Sequence, residues 1–156
     1  MKKRALVICL ACLTTLAHAG PFNNMADMVG ALAGGATDEG SSRNLDKTLE
    51  NLSAHMNRTT PVMLDADTRL DSVTAEPGQR LSYHYTLTSV QSKDIKRAEF
   101  QKLIRAPLQA KLCESSEMRG FLKHGITISY TYRSADGHNL GAARFTPSDC
   151  GYQKVS

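Results

Sequence analysis

The chain is 156 residues long, and its 19 Lys and Arg against 15 Asp and Glu give a formal charge of +4. Three of those basic residues, Lys2, Lys3 and Arg4, stand at the very start, so the chain beyond residue 19 holds 16 basic against 15 acidic groups, a net +1. Near-neutrality excludes the basic footprint of a nucleic-acid-binding protein, and the length admits one modest domain.

After the basic start comes an apolar run from Ala5 to Leu16 and then Ala17-His18-Ala19. This order predicts a secretory signal peptide over residues 1–19. Its apolar core is too short for a permanent membrane span. Leu10-Ala11-Cys12 hints at a lipoprotein signal, but Cys9 stands where such signals want leucine. Cleavage after Ala19 removes Cys9 and Cys12 and leaves Cys113 and Cys150. They form no C-x-x-C pair, and no histidine lies close to Cys150. In an exported chain they therefore predict one disulfide. Closing that loop is worth about 4 kcal/mol in the chain-entropy picture.

Residues 20–43 read as a flexible linker or a short amphipathic segment. Met25, Met28, Val29 and Leu32 recur at helical spacing, followed by Gly34-Gly35 and a stretch rich in Gly, Ser and Asp. Residues 44–156 are expected to form a single α+β domain. Asn44 is the expected cap of a helix to about Asn57, with Leu45, Leu49, Leu52 and Met56 as its buried stripe. Pro61 limits that helix. Asn51-x-Ser53 and Asn57-x-Thr59 match the glycosylation pattern, but the leader is of bacterial type.

"VMLDADTRLDSVTA" alternates only roughly, which predicts one bulged or edge strand. Pro77-Gly78 predicts a type II turn. Beyond it, Leu81, Tyr83, Tyr85 and Leu87 alternate with Ser82, His84, Thr86 and Thr88, giving a strand with one apolar and one wet face. Next, a helix is expected from about Lys93 to Cys113, burying Ile95, Phe100, Leu103, Ile104, Leu108 and Leu112, with a kink or restart at Pro107. Ser115 or Ser116 caps a short helix that Gly125 closes.

Ile126, Ile128, Tyr130 and Tyr132 share the face of a further strand, and Asp136-Gly137 is a strong hairpin signal. A two-residue loop there pairs Tyr132 with Gly141, Tyr130 with Ala143 and Ile128 with Phe145. The expected fold is α+β: a four-stranded antiparallel sheet packed against helices, in the order helix-strand-strand-helix(kinked)-strand-strand, with the Cys113–Cys150 disulfide fastening the last ribbon to the long helix.

Chemistry is sparse. Asp65, Asp67 and Asp71 are hard oxygen donors on one strand face, but Arg69 lies among them and the EF-hand spacing fails, so a solvated edge is the expectation. His84, His124 and His138 match no zinc signature. There is no G-x-S-x-G, H-E-x-x-H or P-loop motif. No metal, cofactor or catalytic residue is therefore assigned. Tyr83, Tyr85, Tyr130, Tyr132 and His84 form a candidate binding face if the rings are exposed; their alternation with leucine and isoleucine favours a core.

The stretches "PVMLDADTRLDS", "LSYHYTL", "ISYTYRSADG" and the closing "DC" resemble small exported bacterial proteins of uncharacterised function, over about residues 44–150. The resemblance implies export and this domain, with no activity to transfer. The expected function is a non-catalytic periplasmic or secreted protein-interaction domain, such as an envelope-assembly accessory factor whose partner is another exported or envelope protein. A periplasmic immunity or inhibitor protein is the alternative, though net charge gives it no support. A small hydrolase using Asp65, Asp67 or His84 would need those groups to converge.

Overall fold

The computed structural model describes residues 38–153. The expected signal peptide, and with it Met25, Met28, Val29 and Leu32 of the expected linker, lie outside them.

Helix α1 (Asp38–Met56) begins before Asn44. Asn44 is therefore an interior residue, its carbonyl accepting the Thr48 hydroxyl at 2.8 Å. Leu45, Leu49 and Leu52 are buried, with Met56 partly so. Beyond the helix, Asn57 takes both polar backbone atoms of Val73: Nδ2 donates to its carbonyl and Oδ1 accepts from its N–H, each at 2.7 Å. One carboxamide thus fills the place of a neighbouring strand.

The single strand expected from Val62 onward is two. β1 (Val62–Met63) and β2 (Thr68–Glu76) run antiparallel. The reversal between them is held by Asp65 Oδ1, which accepts from the N–H groups of Asp67 at 2.8 Å and Thr68 at 2.7 Å. An aspartate that holds its own following backbone this way builds a turn, and periodicity does not register it. β2 carries the expected bulge, between Leu70 and Ser72. β2 turns through Pro77, Gly78 and Gln79 into β3 (Arg80–Leu87), with Gly78 and Gln79 at φ of 87° and 59°. Their N–H groups donate to the Asp46 carboxylate at 3.3 and 2.7 Å, tying the turn to α1.

α2 (Arg97–Glu114) and α3 (Ser116–Lys123) fill the connection from β3 to β4 (Thr127–Ser134), and β5 (Asn139–Phe145) completes the sheet before a 3-10 turn (Pro147–Cys150). The strand order is β1-β2-β3-β4-β5. β3 and β4 are parallel, and the other neighbours antiparallel. The sheet is therefore five-stranded and mixed, where four antiparallel strands were expected. Two helices make a connection long enough to carry the chain back to the end where β3 began, and alternation alone cannot tell that crossover from a reversal.

The expected pairs Tyr132–Gly141, Tyr130–Ala143 and Ile128–Phe145 are all present. α2 differs from its expectation in two respects. It starts at Arg97, and it runs on through Pro107 to Glu114. Proline forfeits one backbone bond and crowds the preceding turn; here it lies on an exposed flank, while Phe100, Ile104 and Leu112 hold the helix down. Leu103, expected in the core, is 57% exposed. The close approach of α2 to β5 requires Gly141: at φ 153°, an added Cβ would meet Gln101 Cγ at 2.8 Å. Cys113 at the end of α2 is bonded to Cys150 of the 3-10 turn, with Cα atoms 5.3 Å apart.

Candidate interaction site

Parallel pairing of β3 with β4 sets Tyr83 beside Tyr130 and Tyr85 beside Tyr132. The two Y-x-Y sequences become a two-by-two grid, with centroids 5.6 Å apart for Tyr83–Tyr130 and 5.2 Å for Tyr85–Tyr132. Phe100 meets Tyr132 edge-on at 5.5 Å. Tyr83 and Tyr130 are buried, while Tyr85 and Tyr132 are half-buried. Burial raises all four phenol pKa values above the ordinary range, that of Tyr130 to about 12. No hydrogen bond contributes to any of these shifts.

α1 packs on β2 and β3, and α2 packs on β5. One flank of α2 reaches the outer edge of β5: Arg105 Nη1 donates to the Arg144 carbonyl at 3.3 Å, and Gln109 Nε2 to the Asp149 carbonyl at 2.7 Å. Helical geometry sends Leu103, Pro107 and Ala110 to the opposite flank. All three are exposed. Beside the aromatic grid, α2 thus presents one exposed apolar wall.

His84 is not part of it. It lies on the other face of the sheet, bonded through Nε2 to the Thr74 hydroxyl at 2.9 Å. That face carries no helix among the described residues, and several of its charges are paired locally. Arg69 meets Asp71 at 2.6 Å, Asp71 accepts from Thr86, and Arg80 meets Glu76 at 2.7 Å. The Ser82 hydroxyl, then Arg80, lowers the Glu76 pKa. Asp65 is spent on its turn, and Asp67 gives its backbone carbonyl to the Thr88 N–H. His124 bonds through Nδ1 to the Gly120 carbonyl at 3.0 Å. Among the described residues no three His, Cys, Asp or Glu side chains gather as metal ligands would.

Sequence reading missed a cluster around the last hairpin. Asp136 accepts from the Ser134 hydroxyl, from the Ser92 hydroxyl at 2.6 Å and from the Ser92 N–H at 3.1 Å, with His138 Nδ1 at 3.3 Å. The Ser134 and Ser92 hydroxyls hold its carboxyl well below the usual range. Serine, histidine and aspartate are all present, yet the carboxylate sits at the centre, so no imidazole reaches a serine to act as base. The cluster latches the β4–β5 hairpin to the loop before α2. Only the Asp-Gly turn was readable, because Ser92 lies far off in sequence.

A family model described as a domain of unknown function, DUF8479, matches residues 44–141. The chain belongs to that family. None of the curated proteins matches the sequence. Among solved structures, the DUF8479 chain is similar to an inferred secreted protein of Pseudomonas aeruginosa, with a TM-score of 0.61 and 20% identity over 74% of this chain and 99% of that one. It is similar to EpsS, the pilotin of the Vibrio vulnificus type 2 secretion system, with a TM-score of 0.56 and 16% identity over 72% and 96%. It is also similar to AspS, the type II secretion system pilotin of Vibrio cholerae, with a TM-score of 0.53 and 15% identity over 70% and 94%. At these identities the shared property is the fold. No helix among the described residues of the DUF8479 chain is long and apolar enough to cross a membrane.

Proposed function

We propose that this chain is a non-catalytic periplasmic or secreted interaction domain, an accessory factor of envelope assembly that takes a partner's segment on the exposed apolar wall of α2 beside the tyrosine grid. The exposed wall carries the reading: Leu103, Pro107 and Ala110 beside the half-buried Tyr85 and Tyr132 suit an apolar helix or strand better than a small polar substrate. The leader over residues 1–19 and the Cys113–Cys150 bridge support an oxidising compartment. The likeness to two pilotins and an inferred secreted protein supports envelope assembly as the setting. A hydrolase draws no support, since Asp65, Asp67 and His84 lie apart and the first two serve a turn and a backbone bond.

The test compares wild-type mature protein with a Leu103→Glu, Ala110→Glu variant of unchanged melting profile, each used to capture proteins from envelope extract. The expected result is a distinct envelope protein retained at least about tenfold better by wild type, a difference of roughly 1.4 kcal/mol. Nothing above background, or capture indifferent to the wall, rejects the reading.

A further inference from the structure

We infer that the outer edge of β1 is a second docking surface, one that takes an extended apolar strand led by basic residues from another polypeptide. This goes beyond the wall on α2 and does not depend on it.

Exposure singles out this edge. Among the described residues the exposed large apolar side chains are Val62 at 40%, Met63 at 49%, Leu64 at 50% and Leu103, and the first three are consecutive. They form β1 and its exit. Backbone geometry then selects the kind of chain that fits. The Leu64 N–H donates to the Thr68 carbonyl at 2.9 Å, so these two residues are a bonded pair of the ladder. Met63, opposite Arg69, is the alternate position, and its N–H and C=O point away from β2. An extended backbone satisfies both groups at once. Other stretches of the rim are already met: Asn57 serves Val73 on β2, and Arg105 reaches the Arg144 carbonyl on β5. Edge strands are commonly blunted by charge or proline; here Pro61 precedes the ladder, and residues 62–64 carry no charge. Val62 pairs with Leu70, Leu70 with Tyr85 and Tyr85 with Tyr132, so an added strand extends that row with apolar side chains of its own.

Charge sets the ends of the partner. Asp65 and Asp67 follow the apolar triplet and are exposed. No salt bridge reaches either carboxylate among the described residues. In an antiparallel partner the residues before its apolar stretch face these two aspartates, so lysine or arginine belongs there. A second copy of this chain would place Thr59, Thr60 and Pro61 opposite them, which supply no cation.

The experiment titrates the oxidised mature protein, isotope-labelled, with a synthetic peptide of alternating valine and threonine opened by two lysines, and follows the backbone amides by NMR. The Met63 amide should shift and exchange with solvent at least about tenfold more slowly. Replacing the two lysines by glutamates should weaken binding at least about fivefold. Met63→Pro removes the outward N–H while leaving the bonds of Leu64 to β2 in place, and should weaken binding as much at an unchanged melting profile. Asp67→Lys should reverse the preference for lysine over glutamate. Leu103→Glu should leave the titration unchanged, which separates a failure here from a failure of the α2 wall. Equal binding by a peptide with N-methylated amides overturns the inference, as do shifts confined to α2. So does a Met63 amide that becomes protected with protein concentration alone, which means a second copy covers the edge, or no shift with the peptide in large excess.

Discussion

Asn57 sits where α1 stops and spends both polar atoms of its side chain on Val73. Val73 is itself wholly buried, so removing the carboxamide leaves a backbone N–H and C=O unpaired beside the core. Asn57→Ala should therefore cost about 1–3 kcal/mol, read as a lower urea midpoint with unchanged slope. Asn57→Asp should be no better, because a carboxylate oxygen would face the Val73 carbonyl. A loss within about 0.5 kcal/mol, the range of an ordinary surface substitution, would show that water replaces the clip. Gly141 works at the same scale by absence, since only a missing side chain admits Gln101.

The hairpin latch is a property of two elements, the β4–β5 turn and the loop before α2. Because hydrogen bonds from Ser134 and Ser92 depress the Asp136 carboxyl, its contribution is present above the ordinary aspartate range and is lost only as pH falls through its lower folded value. Asp136→Asn should lower the melting temperature at pH 7. The gap to wild type should persist at pH 4 and close further down; closure already near pH 4 would mean the bonds do not form in solution. Elements were legible in sequence where one face of a single segment is buried. The α1 stripe, the alternation of β3 and the register set by Asp136-Gly137 all belong to that class. What stayed hidden depends on partners distant in sequence or on side chains that build turns: the reversal at Asp65, the crossover that makes β3 and β4 parallel, and Pro107 tolerated on a wet flank. The candidate site was half legible. Its tyrosines stood out as two Y-x-Y pairs, but their grid exists only because of the parallel pairing, and the wall at Leu103 looked like core.

At the scale of the molecule, one covalent bond joins the end of α2 to the turn after β5 across a sequence separation of 37. Arg105 and Gln109 reinforce the same junction through Asp149. Replacing both cysteines by serine should cost about 4 kcal/mol by chain entropy, seen as urea unfolding of the oxidised wild type against the variant; equal midpoints would assign the junction to the polar contacts alone. The strand order has a further consequence for the nascent chain. Synthesis delivers α1 through β3 first, and the far edge of β3, with Tyr83 and Tyr85, waits bare until Thr127 and the residues after it arrive. An unpaired aromatic strand edge is what aggregation templates use. A polypeptide threaded outward from its amino end would therefore need an escort for its first half, and its sulfur bond, closing last, would seal a topology already chosen.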